Sequence, residues 1–369
     1  MTVNEIQKPV AVNTKKKRTI ALWIIFSLVF VLLILPFGIS VCIYEQNFGV
    51  RYAVYQPHSF TLEDFPGLER NACNFESNQG QQLAGWLYRT EGTSPKAVVV
   101  VAHGLGVGGH EPYMDCIHFF ARNGYLVFAY DVTGNGGSEG DSIRGLSQGV
   151  IDLDYAIRHL QTNAQTKDLP ILLFGHSWGG YSVCNVLNYH PEVKAVVALC
   201  GFNCSSDLIR AEGEKIAGPA ISLLMPYVSF YEYLKFGEYA HTTAMDGFSN
   251  TDAGVFIVHS QDDTKVPQQY GYDIYFDAYG QNARFTFVNY TDKGHTYVYT
   301  SEAFEAYRTA FNDTFAQWVQ TLPENLTNTQ FAQHKADYLN KHLDRTIWCD
   351  RLDPKLFADI LAFYDAHLE

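Results

Sequence analysis

Six short apolar runs, rich in β-branched residues, recur along the middle of the chain at 97–102, 125–130, 171–174, 195–199, 255–258 and 285–288. Strands this apolar are buried on both faces, and helix-length segments separate most of them. The alternation predicts a doubly wound, mostly parallel α/β sheet whose ligand site lies beyond the carboxyl ends of the strands. A hairpin is expected ahead of it, at 71–89, around the turn Ser77-Asn78-Gln79-Gly80. With 369 residues, 47% of them hydrophobic, there is ample chain for such a core.

A second apolar stretch is of another kind. Residues 20–44 carry no charge and are long enough, as a helix, to cross a hydrocarbon core of about 30 Å. The run exceeds the apolar region of a cleaved signal peptide and no A-x-A-like site follows, which favours an uncleaved anchor over 19–44. Residues 1–18 hold Lys8, Lys15, Lys16, Lys17 and Arg18 against Glu5, a basic tail expected on the cytoplasmic side by the positive-inside rule. This predicts a single-pass protein of the cell membrane with its body extracytoplasmic. The chain's net charge of −13 then leaves −17 for the body, which disfavours nucleic acid as a partner.

The remaining organisation reads as a tether at 45–70, a catalytic body at 71–322 and a helical extension at 323–369. One connection, about 203–252, is too long for a simple crossover and reads as an inserted aromatic-rich helical cap. Phe304, Tyr307, Phe311, Phe315 and Trp318 recur at helical spacing and are expected to pack on the sheet. The extension ends in a helix starting at Asp353-Pro354, and no chemistry is assigned to it. The seven cysteines show no metal-ligand spacing, and their pairing is not readable from sequence.

The sharpest local signal is Gly175-His176-Ser177-Trp178-Gly179, directly between an apolar run and a helical stretch. A nucleophile on a strand-to-helix turn needs a strained backbone, and glycines two residues either side relieve the crowding. A serine hydroxyl also needs a base, and the base a carboxylate that orients it. Two later strand ends supply both, since 255–258 runs into Asp262-Asp263 and 285–288 runs into Gly294-His295. His295 is the expected base and Asp263, with Asp262 as competitor, the expected acid; His103, His176 and His259 are assigned to loop hydrogen bonding. Donors for a developing oxyanion are expected from the backbone N–H of Trp178 and, in His103-Gly104-Leu105-Gly106, of Leu105. The Gly134-Asn135-Gly136-Gly137-Ser138 loop lacks a phosphate-binding signature and is read as shaping the pocket.

Taken with Asp131-x-x-Gly134-x-Gly136-x-Ser138-Glu139-Gly140 and Asp263-x-x-Val266-Pro267, these motifs resemble the α/β-hydrolase superfamily, within it the monoacylglycerol lipase and serine aminopeptidase-like group. The resemblance spans about 75–322. It implies a triad of Ser177, Asp263 and His295, favouring Asp263 through the Val266-Pro267 context, and a cap that shapes substrate choice. It also implies action on esters, glycerolipids, thioesters or peptides with no metal or organic cofactor. The anchor, Trp178 and the C-terminal extension lie outside the common pattern. Ester cleavage of a small-molecule or lipid-like acyl substrate is therefore the leading expectation. The alternatives are an aminopeptidase, which needs a cap carboxylate from among Glu212, Glu214, Glu232 and Glu238, and a non-catalytic binding protein.

Overall fold

A computed structural model describes residues 14–55, 59–92 and 94–368; most of the basic tail, 1–13, lies outside the described residues. All six apolar runs are strands. In chain order the strands are β1 (Leu68–Ala72), β2 (Phe75–Glu76), β3 (Gln82–Leu83), β4 (Gly85–Thr90), β5 (Val98–Ala102), β6 (Leu126–Tyr130), β7 (Ile171–His176), β8 (Ala195–Leu199), β9 (Gly254–Ser260) and β10 (Phe285–Tyr290). Eight of them form one sheet in the order β1-β4-β6-β5-β7-β8-β9-β10, parallel from β6 to β10. β1 and β4 close its other edge as antiparallel strands. The expected hairpin is thus divided, because the Ser77–Gly80 turn joins only the two-residue strands β2 and β3, while β4 leaves them for the main sheet.

Side chains alternate between two cores. Val98, Val100 and Ala102 of β5 face one cluster with Phe128, Leu173 and Trp178, whereas Val99 and Val101 face the other with Phe174, Phe256 and Phe357. Each of these residues is almost wholly buried, and every such large apolar side chain contributes about 1.5–3 kcal/mol relative to exposure.

The second core corrects one expectation. Of the aromatic stripe on helix Glu302–Val319 only Phe304 is buried, and Phe315 and Trp318 instead pack on Tyr338 of helix Asn328–His342. The sheet is covered there by the last helix, Pro354–Ala366, which buries Leu356, Phe357, Ile360 and Tyr364 and donates the Tyr364 hydroxyl to the Leu173 carbonyl at 2.6 Å. The last helix of the 323–369 extension therefore belongs to the core beneath the sheet.

At the opposite end, helices Thr14–Val29 and Leu35–Phe48 run through a π-helical turn, Phe30–Ile34, just ahead of Pro36. Pro36 has no N–H to give the carbonyl four residues back, a cause sufficient for such a break in register. Residues Lys16–Phe48 form a helix long and apolar enough to cross a membrane, and none of its most apolar window is buried. Its carboxyl half packs on helix Met225–Phe236 of the 203–252 connection. Tyr227 donates to the Leu32 carbonyl, Tyr231 donates to Glu45 at 2.7 Å, Lys235 pairs with Glu45 at 2.5 Å, and Tyr44 donates to Glu232 at 3.1 Å.

Candidate active site

β7 ends at His176 and helix Trp178–Asn185 begins at once, so Ser177 must turn the chain in a single residue. It does so at φ 59° and ψ −117°, a left-handed conformation that costs a non-glycine residue about 1–3 kcal/mol and persists only where its surroundings enforce it. The flanking glycines have a steric reason. A Cβ on Gly175 would lie 2.3 Å from the Gly179 carbonyl oxygen, and one on Gly179 would lie 2.0 Å from that of Ala102.

The ends of β9 and β10 bring the partners in. His295 Nε2 lies 2.8 Å from Ser177 Oγ and its Nδ1 lies 2.7 Å from Asp263 Oδ2. With Nδ1–H donating to the carboxylate, Nε2 is left to accept from the serine hydroxyl. Asp263 is buried, and its other oxygen accepts from the backbone N–H groups of Lys265 and Val266 at 2.8 and 2.9 Å. Burial works against the charge of this carboxylate. The neighbouring His259 and His295, with the Val266 amide, outweigh it and hold Asp263 far below the usual carboxylate range. The competitor Asp262 points elsewhere, accepting from the Ser260 hydroxyl at 2.6 Å and the Gly294 N–H at 2.8 Å, so it shapes the turn that presents His295.

The loop after β5 brings Leu105 to the cavity wall beside Ser177, and Trp178 follows Ser177 as the first residue of its helix. Neither backbone N–H has a hydrogen-bond partner among the described residues. The Trp178 indole is buried and donates to the Leu146 carbonyl at 2.7 Å. His103 is fixed by the Val132 N–H at 3.0 Å and the Gly104 carbonyl at 2.9 Å. The 134–138 loop, expected beside the pocket, wraps the buried Asp131, which accepts from the Gly137 N–H at 2.8 Å and pairs with His110 at 2.8 Å.

Sequence reasoning missed a relay under the site. Gly104 N–H donates to the Tyr113 hydroxyl at 3.1 Å, which donates to His176 Nδ1 at 2.8 Å, and His176 Nε2–H donates to the His295 carbonyl at 2.9 Å. Burial first, then the nearby His295, pushes the His176 pKa down to about 3, so this imidazole stays neutral and keeps the tautomer the relay needs. No motif marks Tyr113.

A cavity of about 270 Å³ opens beside Ser177 and His295, between the 104–107 and 296–299 loops. Trp348 and Arg351 form part of its wall, and among the described residues none of the 203–252 connection does. Cys200 Sγ stands within 4.8 Å of ring nitrogens of His176 and His295, a grouping a soft metal could use. All four ring nitrogens of that histidine pair already hold protein hydrogen bonds, which a metal would have to break.

A family model described as serine aminopeptidase, S33, matches residues 93–246. The monoglyceride lipases of Homo sapiens and Rattus norvegicus are each 33% identical over 184 residues, covering 47% of this chain and 54% of theirs. The chain spans about half the length, or less, of the curated relatives it matches. A solved Pyrococcus furiosus esterase superposes with a TM-score of 0.52 at 18% identity, covering 73% of this chain and 98% of its own, a likeness of fold. A serine on a strained strand-to-helix turn of a mostly parallel eight-stranded sheet, inside the segment that the family model matches, gives the chain an α/β-hydrolase fold and makes it similar to the monoacylglycerol lipase-like group.

Proposed function

We propose that the protein is a membrane-anchored serine hydrolase that cleaves carboxylic esters through an acyl-enzyme on Ser177. The single observation that carries this is the unbroken hydrogen-bonded row Asp263–His295–Ser177 at the strained turn. In this reading Ser177 Oγ attacks the ester carbonyl while His295 Nε2 takes its proton, and Asp263 stabilises the imidazolium. The N–H groups of Leu105 and Trp178 receive the oxyanion. The intermediate collapses as His295 returns the proton to the leaving alcohol. Water, deprotonated by His295, then attacks the acyl carbon and frees the carboxylic acid and Ser177.

Acyl esters of the glyceride type are the first substrates to try, in view of the monoglyceride lipase relatives. The peptidase reading needs a carboxylate in the pocket for a substrate amine. Glu232 is buried against Tyr44 and Ser205, and none of Glu212, Glu214, Glu232 and Glu238 lines the cavity. The helix Lys16–Phe48, with Lys16, Lys17 and Arg18 at its start, supports an anchor with the catalytic body outside the cytoplasm. Protection of the body from protease added to intact cells would sink that orientation. A fluorophosphonate probe tests the chemistry: wild type labels and Ser177→Ala does not, whereas a folded wild type that fails to label removes the hydrolase reading.

A further inference from the structure

We infer that the C-terminal segment, through Trp348 and Arg351, sets which substrate group fits beside Ser177, and that this group is compact, uncharged and aromatic. The inference rests on the ester-hydrolase reading and names the substrate class of that site.

At about 270 Å³ the cavity is smaller than pockets for drug-sized ligands, which run from about 300 to 1,000 Å³. Tyr113, Tyr297, Tyr299 and Trp348 give it flat walls, and aromatic faces favour an offset or edge-on ring over a flexible chain. Its one buried cation is already matched. Arg351 Nε donates to Asp115 Oδ2 at 2.7 Å and Nη2 to the Pro112 carbonyl at 2.6 Å. The Asp115 charge outweighs burial and keeps the guanidinium protonated, so the pair is neutral as a unit and calls for no charged ligand.

The wall is also stiff. Trp348 is 6% exposed and packs on Phe304, ring centroids 5.3 Å apart, while the Arg351 guanidinium lies 4.8 Å over Phe60. Backbone bonds tie the segment to the loop after His295: Ser301 N–H donates to the Arg351 carbonyl at 2.8 Å and Asp353 N–H to the Tyr299 carbonyl at 3.0 Å. Through Pro112 and Asp115 it also grips the helix that follows the 104–107 loop. One element thus spans both rims of the cavity, a rigid gauge of width. A hydrophobic pocket discriminates by about 10–200-fold for a single methylene, so a displaced wall is measurable.

The test uses the full chain in detergent and compares kcat/KM for methyl phenylacetate with that for methyl octanoate, two acyl groups of equal carbon number. Wild type is expected to prefer the aryl ester by about tenfold or more. Trp348→Ala, by opening the wall, lowers that ratio at least about tenfold, and Trp348→Phe keeps most of it. Val107→Phe, filling the cavity from the other side, lowers the ratio as well and serves where Trp348→Ala does not fold. Trp318→Ala, which disturbs C-terminal packing away from the cavity, and Phe230→Ala in the 203–252 connection leave the ratio at the wild-type value. An octanoate preference in wild type overturns the inference. So does a ratio unmoved by both Trp348→Ala and Val107→Phe, or one shifted by Phe230→Ala, and in each of these cases fluorophosphonate labelling of Ser177 shows that the hydrolase reading still stands. Absence of labelling in folded wild type removes both.

Discussion

The 203–252 connection and the segment after residue 302 are both helical additions at the rim of one sheet, yet they have opposite neighbours. The first packs its helix Met225–Phe236 on the N-terminal helix and leaves Ile216, Leu223 and Phe230 79%, 76% and 54% exposed. The second buries Trp348 and Arg351 against the cavity and Phe357, Ile360 and Tyr364 against the sheet. An insertion's length or aromatic content therefore does not tell which insertion faces the nucleophile; the placement of its buried polar groups does. In the connection those groups reach toward the N-terminal helix. In the C-terminal segment they reach toward the loops that carry Leu105 and His295.

The comparison presupposes that chemistry resides where the two regions are measured from, and its largest test is Asp263→Asn. Loss of the carboxylate leaves His295 in the wrong tautomer, and kcat is expected to fall about 10³- to 10⁴-fold. Asp262→Asn, which weakens the Ser260 and Gly294 contacts, is expected to cost about tenfold or less. Reversed magnitudes in steady-state ester hydrolysis would move the acid by one residue.

The next test strikes the C-terminal segment itself. Arg351→Met leaves Asp115 charged, buried and without its partner, and is expected to destabilise the folded protein by about 3–5 kcal/mol. Changing Asp115 to Leu in the same chain should restore much of that loss, because the stranded charge is gone. Urea unfolding of the three proteins measures it, and an Arg351→Met midpoint equal to that of wild type would show that this pair does not hold the segment in place.

Across the molecule, Glu232→Gln probes the junction between the connection and the N-terminal helix. Burial raises the Glu232 pKa to about 7, above its ordinary value of 4.5, although Tyr44, Ser205 and Lys235 oppose the shift. Between those pH values the folded chain holds a proton that the unfolded chain has lost. Wild-type stability should therefore fall as pH rises from about 4.5 to 7 and level off above, while the glutamine variant lacks that slope. At pH 8 the variant should be the more stable by on the order of 2–3 kcal/mol. Parallel stability–pH curves for the two proteins would place the proton elsewhere.

Much of this was legible in the sequence where the controlling chemistry is local. β5 to β9 declare themselves because both faces are buried, whereas β10, at the sheet edge, buries only Phe285; Gly175, Ser177 and Gly179 declare themselves because one tight turn excludes a Cβ at two positions. The Val266 amide beside Asp263 gives a physical reason for the Asp-x-x-Val spacing. What was not legible depends on distant partners. Periodicity shows that the 304–318 stripe seeks an apolar surface but not that Tyr338 supplies it. Nothing in the sequence near Trp348 or Arg351 points to Ser177, since Arg351 is held there by Asp115, Pro112 and Tyr299 and Trp348 packs on Phe304, none of which a motif links to the nucleophile.

The smallest effect tests the connection's side most directly. Pro36 lacks an N–H for the Leu32 carbonyl, and Tyr227 donates its hydroxyl to that oxygen. In apolar surroundings a carbonyl without a donor is costly, so this bond gives helix Met225–Phe236 a fixed place on the N-terminal helix. Tyr227→Phe removes the donor and keeps the ring, and is expected to weaken the contact by about 0.5–1.5 kcal/mol. Amide hydrogen exchange in residues 225–236 should quicken about two- to tenfold, while the phenylacetate-to-octanoate ratio stays at the wild-type value. A change in that ratio would mean that the 203–252 connection reaches the substrate after all, and that the two additions share one task instead of dividing contact with the N-terminal helix from substrate choice.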